Sequence, residues 1–154
     1  MMNKKTLDAL VSSIYVSRLA LAGASVTTDD QRLRASGLYE DWAPGLHGLG
    51  TICNTRTEAG DLEQTWECYQ AHDTATHPDI RPGSPAWFTF WRPLHGKTRE
   101  TARPFVAPTH SLDIYYYGEY MTFTDGKVYR CTALNGTNYS PTEYASAWEV
   151  SEEM

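Results

Sequence analysis

The sequence predicts a mainly β protein with an α-helical N-terminus: a short helical segment followed by two small antiparallel three-stranded β modules. Three observations predict it. Helical spacing of apolar residues is confined to the first 37 positions. From Trp42 onward, β-forming residues come in short runs broken by Gly and Pro. In that second part, one order of aromatic, Gly, Cys and Pro residues occurs twice.

The helical segment comes first. Leu7, Leu10, Ile14 and Leu21 follow a helical spacing, Val11 and Val16 widen the stripe, and Gly23 is placed to end the helix as a C-cap. Thr28 and Gln31 have the spacing of a capping box, opening a second short helix through Arg32, Leu33 and Arg34. Helices this short cannot bury a single apolar stripe by themselves. Two outcomes are open: the stripe packs on the rest of the chain, or it joins copies of the chain in a small bundle. Residues 1–37 are taken as an anchoring and oligomerisation segment, so the first expected partner is the chain itself, in a homo-oligomer such as a trimer. Residues 1–25 also have the basic start and small residues of a secretion signal. Asp8 and Arg18 interrupt its apolar stretch, so an uncleaved amphipathic helix is expected instead.

The β part follows. Ile114 to Tyr117, Tyr120 to Thr124 and Lys127 to Cys131 read as short strands, with Asp125 and Gly126 as a two-residue hairpin signal. Thr51 to Thr57 and Gln64 to Tyr69 form a similar pair around a longer turn at Gly60. Residues 92–104 have no strand pattern and read as a linker. Aligned, the first unit (38–91) runs from Trp42 through Gly50 and the hairpin to Trp66-Glu67-Cys68, then through a Pro-bearing loop to Pro85-Ala86-Trp87. The second (105–150) runs from Phe105 through Gly118 to Tyr129-Arg130-Cys131, then through Tyr139-Ser140-Pro141 to Ala147-Trp148. Units this small have little core, so a few large rings must bury most of the apolar area. Trp42, Trp66, Trp87, Tyr129 and Trp148 are assigned to that role. Tyr115, Tyr116, Tyr117, Tyr139, Tyr144 and Trp91 are left as exposed platforms. Side chains alternate faces along a strand, so a Tyr triplet cannot be wholly buried.

The order from Gly118 through Tyr129-Arg130-Cys131, with Tyr139-Ser140-Pro141 and Ala147-Trp148-Glu149-Val150, resembles the small chitin- and cellulose-binding modules, carbohydrate-binding module families five and twelve. In the first unit, Trp66-Glu67-Cys68 through His72 and Pro85-Ala86-Trp87 are similar to the variant of this module found in bacteriophage and prophage virion proteins. There, two copies often sit in tandem behind a helical N-terminus. The resemblance spans about residues 38–150. It implies compact antiparallel β units whose exposed aromatics contact polysaccharide, and so gives the six platform residues a carbohydrate-binding role. It further implies a virion protein that attaches to host-surface glycans, made in the host cytoplasm and accompanied by other virion proteins. A secreted accessory is the alternative location. The alternative function is a purely structural spacer or docking subunit of a tail, collar or head fibre. Two departures stand out: Phe105 replaces the opening Trp, and Tyr139 stands where chitinase modules often carry an exposed Trp.

Composition excludes other classes. Thirteen Lys and Arg against 19 Asp and Glu give a net charge of -6, the wrong sign for a nucleic-acid partner. No stretch approaches the ~20 apolar residues of a membrane-spanning helix. Three cysteines cannot close a disulfide framework, although a Cys53–Cys68 bridge across the hairpin stays open. Cys68, His72 and His77, with His47, His95 and His110 elsewhere, lack the tight pairs of a zinc site, so neither metal nor other cofactor is expected. Glu58, Asp61, Glu63 and Glu67 read as a solvated hairpin. No nucleophile elbow, phosphate loop or dinucleotide fingerprint accompanies them, so no catalytic residue and no enzyme is expected.

Overall fold

The computed structural model describes residues 3–74, 81–83, 90–109 and 113–152. The chain divides into two units, Met1–Leu94 and His95–Met154. Residues 92–104 are therefore no linker: they complete a strand of the first unit and open the second. Mostly β with a helical N-terminus, the fold holds small sheets of both antiparallel and mixed type.

Unit 1 begins with helix α1 (Lys4–Leu21), started by the Asn3 side chain, which accepts from the Thr6 N–H. Gly23 (φ +78) turns the chain out of it. Its N–H bonds the Ala20 carbonyl and the Ala24 N–H bonds that of Leu19, the paired closure that a left-handed residue permits. Helix α2 (Asp29–Arg34) opens on the Thr28–Gln31 capping box and runs into a 3-10 turn at Ser36–Leu38. Strands β2 (Ile52–Arg56), β3 (Leu62–Cys68) and β5 (Trp91–Pro93) form one antiparallel sheet. Strands β1 (Leu46–His47) and β4 (His72–Asp73) pair alongside as a two-stranded ribbon.

The helices are bound to this unit, not hung from it. Asn54, fully buried in β2, donates from its amide to the Ser36 and Tyr39 carbonyls and accepts from the Thr65 hydroxyl. Arg92 of β5 pairs with Asp29 of α2 (2.8 Å) and Glu67 of β3 (2.7 Å). In α1 the buried residue is Ser12, whose hydroxyl donates to the Arg34 carbonyl and accepts from the Gly37 N–H. A Cβ on Gly37 would lie 2.1 Å from the Asp8 carbonyl oxygen, so only glycine admits this backbone approach. Arg56 closes the contact by pairing with Asp8 and Asp41. Of the two outcomes open for segment 1–37, the helices pack on the rest of the chain, but not through the expected stripe: α1 docks by the side that carries Asp8, Ser12 and Tyr15, while Leu7, Leu10, Val11, Ile14 and Leu21 are exposed and Val16 is half-buried.

Unit 2 carries a four-stranded sheet: β6 (Arg103–Pro104), β7 (Tyr120–Thr122), β8 (Val128–Cys131) and β9 (Trp148–Ser151), with β6–β7 parallel and the others antiparallel. Tyr115, Met121, Cys131, Ala147 and Trp148 form its core, with Phe105, Phe123 and Tyr129 packed against them.

Four backbone hydrogen bonds recur at matching places in the two units. In each, a glycine at positive φ donates to the carbonyl of the strand cysteine (Gly50 to Cys68, Gly118 to Cys131). That cysteine's N–H returns to the residue after the glycine, Thr51 or Glu119. Both hairpins close alike: Thr57 N–H to Asp61 carbonyl and Gly60 N–H to Thr57 carbonyl; Phe123 N–H to Lys127 carbonyl and Gly126 N–H to Phe123 carbonyl. Both loops thus have three residues ending in a left-handed glycine. The two-residue turn expected at Asp125-Gly126 and the longer turn expected at Gly60 are corrected together. Unit 1 differs in strand length and by one bulge at Thr55–Arg56.

Candidate functional site

Each unit is built around a ring sandwich set by that wiring. In unit 2, β9 places Trp148 opposite Cys131; Tyr115, three residues before Gly118, packs edge-on to Trp148 (5.4 Å) and face-on to Phe105 (5.4 Å). In unit 1, β5 places Trp91 opposite Cys68; His47, three residues before Gly50, packs edge-on to Trp91 (5.2 Å) and face-on to Trp42 (6.1 Å). Both thiols face the carbonyl of the middle ring, Cys131 that of Tyr115 at 3.5 Å and Cys68 that of His47 at 3.9 Å, but the Cys68 thiol has a nearer acceptor in the Gln70 carbonyl at 3.2 Å. Burial raises the pKa of Cys53 to about 12 and pushes Cys68 and Cys131 upward as well. All three thiols are free, which answers the Cys53–Cys68 question, and none is primed as a nucleophile.

This geometry corrects two assignments. Trp91 is fully buried and Tyr115 is 1% exposed, so neither offers a face to a ligand. Trp91, not Trp87, is the counterpart of Trp148. Trp87 lies outside the described residues, as do His77 and His110. Trp66 and Trp148 are buried as core rings, while Trp42 and Tyr129 are half-buried. The Tyr129 hydroxyl reaches out to Asp125 (2.6 Å).

The remaining candidates are exposed and fall on unit 2: Tyr116, Tyr117, Tyr139 and Tyr144 are each about half exposed. Tyr139 and Tyr144 are brought side by side by the turn between them. Ser140 accepts from the Glu143 N–H, Glu143 accepts from the Ser140 N–H, and the Tyr144 N–H returns to the Ser140 carbonyl. The Trp148 indole N–H holds the Tyr139 carbonyl (3.0 Å) and so ties the platform to the core. The two rings are within 17° of parallel, 6.4 Å between centres. They line a cleft of about 250 Å³ with Thr137, Asn138, Ser146 and Gly136, and among the described residues no charged side chain lines it. Tyr116 flanks it: a Cβ on Gly136 (φ +83) would meet the Tyr116 ring at 2.9 Å. Behind Tyr116, the Glu119 carboxylate accepts the Tyr116 N–H and contacts His95, which stacks on Tyr115. Tyr117 stands under the Arg130 guanidinium (4.7 Å).

Unit 1 has a different surface. Its hollow of about 260 Å³ is lined by Asp41, Trp42, Asn54, Arg56 and Arg81 and is therefore charged. His47 and His72 face each other across β1 and β4 (5.2 Å between rings), and the His72 Nδ1–H donates to the Gln70 carbonyl. Among the described residues, no group of three His, Cys, Asp or Glu could hold a metal ion, and no helix is long and apolar enough to cross a membrane.

Gly136 and Asn138 in the cleft were not singled out from sequence, and His47 was weighed only among the histidines of a metal site, not as a core ring of unit 1. Counting back from the paired glycines would have found His47. The chain matches no family model, no curated protein and no solved structure.

Proposed function

We propose that the two units are copies of one carbohydrate-binding-like module and that the chain is a non-enzymatic virion protein of a phage or prophage, attaching to host-surface glycan through unit 2. The observation that carries this reading is the Tyr139–Tyr144 pair: two parallel, half-exposed rings over an uncharged cleft edged with hydroxyl and amide groups. Flat apolar faces beside neutral hydrogen-bonding groups suit a neutral sugar ring. The resemblance to virion-borne modules supplies the setting. One such cleft binds weakly, and repetition on a particle would raise the effective concentration.

Retention of the full chain on insoluble polysaccharide and on bacterial cell wall tests it. Tyr139→Ala and Tyr144→Ala should each reduce retention about tenfold, equivalent to about 1.4 kcal/mol, while the melting of unit 2 stays unchanged. Absence of retention by the wild-type chain on every polysaccharide offered would overturn the reading. Normal retention but failed particle assembly in these variants would favour a structural docking subunit instead.

A further inference from the structure

The ribbon of β1 and β4 sets His47 directly opposite His72. The same place in unit 2 is a bridge between Tyr115 and Thr137. There both side chains are satisfied: the Tyr115 hydroxyl accepts the Val106 N–H, and the Thr137 hydroxyl accepts the Tyr139 N–H. In unit 1 each imidazole keeps one nitrogen bare. The His72 Nδ1–H donates to the Gln70 carbonyl (2.8 Å) and that of His47 is left to the Ala43 carbonyl, while both Nε2 atoms are buried without a hydrogen-bond partner. The Trp91 indole N–H, on a ring that meets both imidazoles, is unpartnered as well and does not serve them. A Nδ1–H held by a carbonyl leaves the Nε2 lone pair free in the ring plane, which is how histidine is prepared to ligate a metal. Buried polar atoms are normally satisfied, so two facing acceptors with no donor point to something held between them.

We propose that His47 and His72 hold a tetrahedral transition-metal ion of the zinc type through their two Nε2 atoms, clamping β1 to β4. Facing positions on paired antiparallel strands bring the two side chains to one side of the ribbon. The ring spacing fits the ion. With about 2.0–2.1 Å from metal to each nitrogen and a near-tetrahedral angle, two imidazole centres lie about 5 Å apart. Those of His47 and His72 are 5.2 Å apart. A linear pair, the preference of monovalent copper, would need about 6 Å. The described residues supply two ligands, not three, so the other positions go to water or a small ligand and the affinity is modest. Cys68 is not among the ligands. Its thiol lies 3.7 Å from Nδ1 of His72, the nitrogen already bonded to Gln70, and burial keeps it protonated. Asp73, next to His72, places a negative charge near the pair. The ribbon has only two residues in each strand and is otherwise tied by Thr74 to Gly45. A metal clamp is therefore a second tie, particular to unit 1 and independent of glycan binding in unit 2.

Zinc chloride added to the full chain near neutral pH, to about 1 mM, should raise the melting temperature of unit 1 by about 4 °C or more and leave unit 2 unmoved. His47→Tyr and His72→Thr, which copy the unit 2 residues into unit 1, should each weaken zinc binding at least tenfold. A second measurement needs no variant: cobalt(II) bound to the wild-type chain reads the ligands directly. It should give the intense visible bands of a tetrahedral ion, without the near-ultraviolet band of a cobalt–thiolate bond. No zinc shift in the wild-type chain would overturn the proposal and leave the two nitrogens to a buried water. A shift that survives either substitution, the pale spectrum of six-coordinate cobalt, or a cobalt–thiolate band would each overturn it as well.

Discussion

The two units use the same backbone wiring with different fillings. Unit 2 holds itself together with rings: Phe105 stacks on Tyr115, Trp148 meets Tyr115 edge-on, and His95 stacks on Tyr115 at 3.8 Å. Unit 1 puts His47 where unit 2 has Tyr115, and it recruits the helical segment. Asn54 carries the Ser36 turn, and Arg92 carries Asp29. The difference separates what defines the module from what can vary. The glycine-to-cysteine bonds, the cysteine-to-tryptophan register pair and the three-residue loop are common to both. The middle ring of the sandwich and the surface charges are not. Unit 2 is thereby left with an uncharged, ring-lined cleft, and unit 1 with a charged hollow.

The largest effect should come from removing the shared tryptophan. Trp148→Ala and Trp91→Ala each truncate a buried ring, at a cost of about 3–5 kcal/mol. Hydrogen exchange resolved by unit should show lost protection in residues 95–152 for the first and in residues 3–94 for the second. Equal loss in both units from either variant would break the picture of two separate cores.

Next comes the cross-strand pair beside each tryptophan. Its charges are reversed: Glu67 opposite Arg92 in unit 1, Arg130 opposite Glu149 in unit 2. Only the first is enclosed. The Arg92 side chain is 19% exposed and grips two carboxylates: Asp29 would keep Arg32, but Glu67 would lose the cation opposite it. Arg92→Ala should therefore cost about 3 kcal/mol, whereas Glu149→Ala, on the outer face, should cost at most a few tenths, roughly the value of an exposed pair. Denaturant midpoints of the two variants decide it, and similar shifts would show that the enclosure does not matter.

This pair also explains what the sequence could and could not tell. The glycines, the two aromatic-x-Cys motifs and the capping box were legible because each is a local signal with a local cause. The closing strand of unit 1 was not. The spacing from Cys68 to Trp87 is nearer that from Cys131 to Trp148, so spacing pointed to the wrong tryptophan. Charge would have pointed to the right one. Glu67 needs a base beside the closing ring; Arg92 follows Trp91, whereas Phe88 follows Trp87. The orientation of α1 was hidden for a related reason. An apolar stripe suggests which face is buried, but the docking was decided by Gly37, whose role appears only when a second backbone is laid against it. In the site, Tyr115 was misplaced because alternation shows that some of a Tyr triplet must be exposed without showing which.

That backbone approach gives a smaller test. Gly37→Ala should destabilise unit 1 by about 1–3 kcal/mol, the usual range for overpacking. Gly48→Ala, where the nearest atom to a new Cβ is 3.8 Å away, should be close to neutral. Helical content near 222 nm during denaturation should show α1 loosening first in the Gly37 variant. Equal stability of the two variants would mean that α1 is held by its ion pairs alone.

The smallest effect isolates the middle ring. Burial, with the neighbouring His72 adding to it, holds the His47 pKa below its ordinary 6.5; Asp73 and a backbone carbonyl act weakly in the other direction. The unfolded chain therefore takes up this proton at a higher pH than the folded unit. The contribution of His47 is intact above about pH 6.5 and declines as pH falls from there toward the folded value. Tyr115, at the same place in unit 2, has its pKa raised by burial and carries no proton change in this window. Asp29 titrates elsewhere: burial alone would raise its pKa, but Arg92 and Arg32 together outweigh that and hold it below 3.8. Acidification from pH ~8 to ~5.5 should therefore lower the melting temperature of unit 1, and His47→Tyr, which copies unit 2 into unit 1, should shrink that loss. A pH slope unchanged by His47→Tyr would place the sensitivity outside the ring sandwich and make its middle position chemically equivalent in the two units.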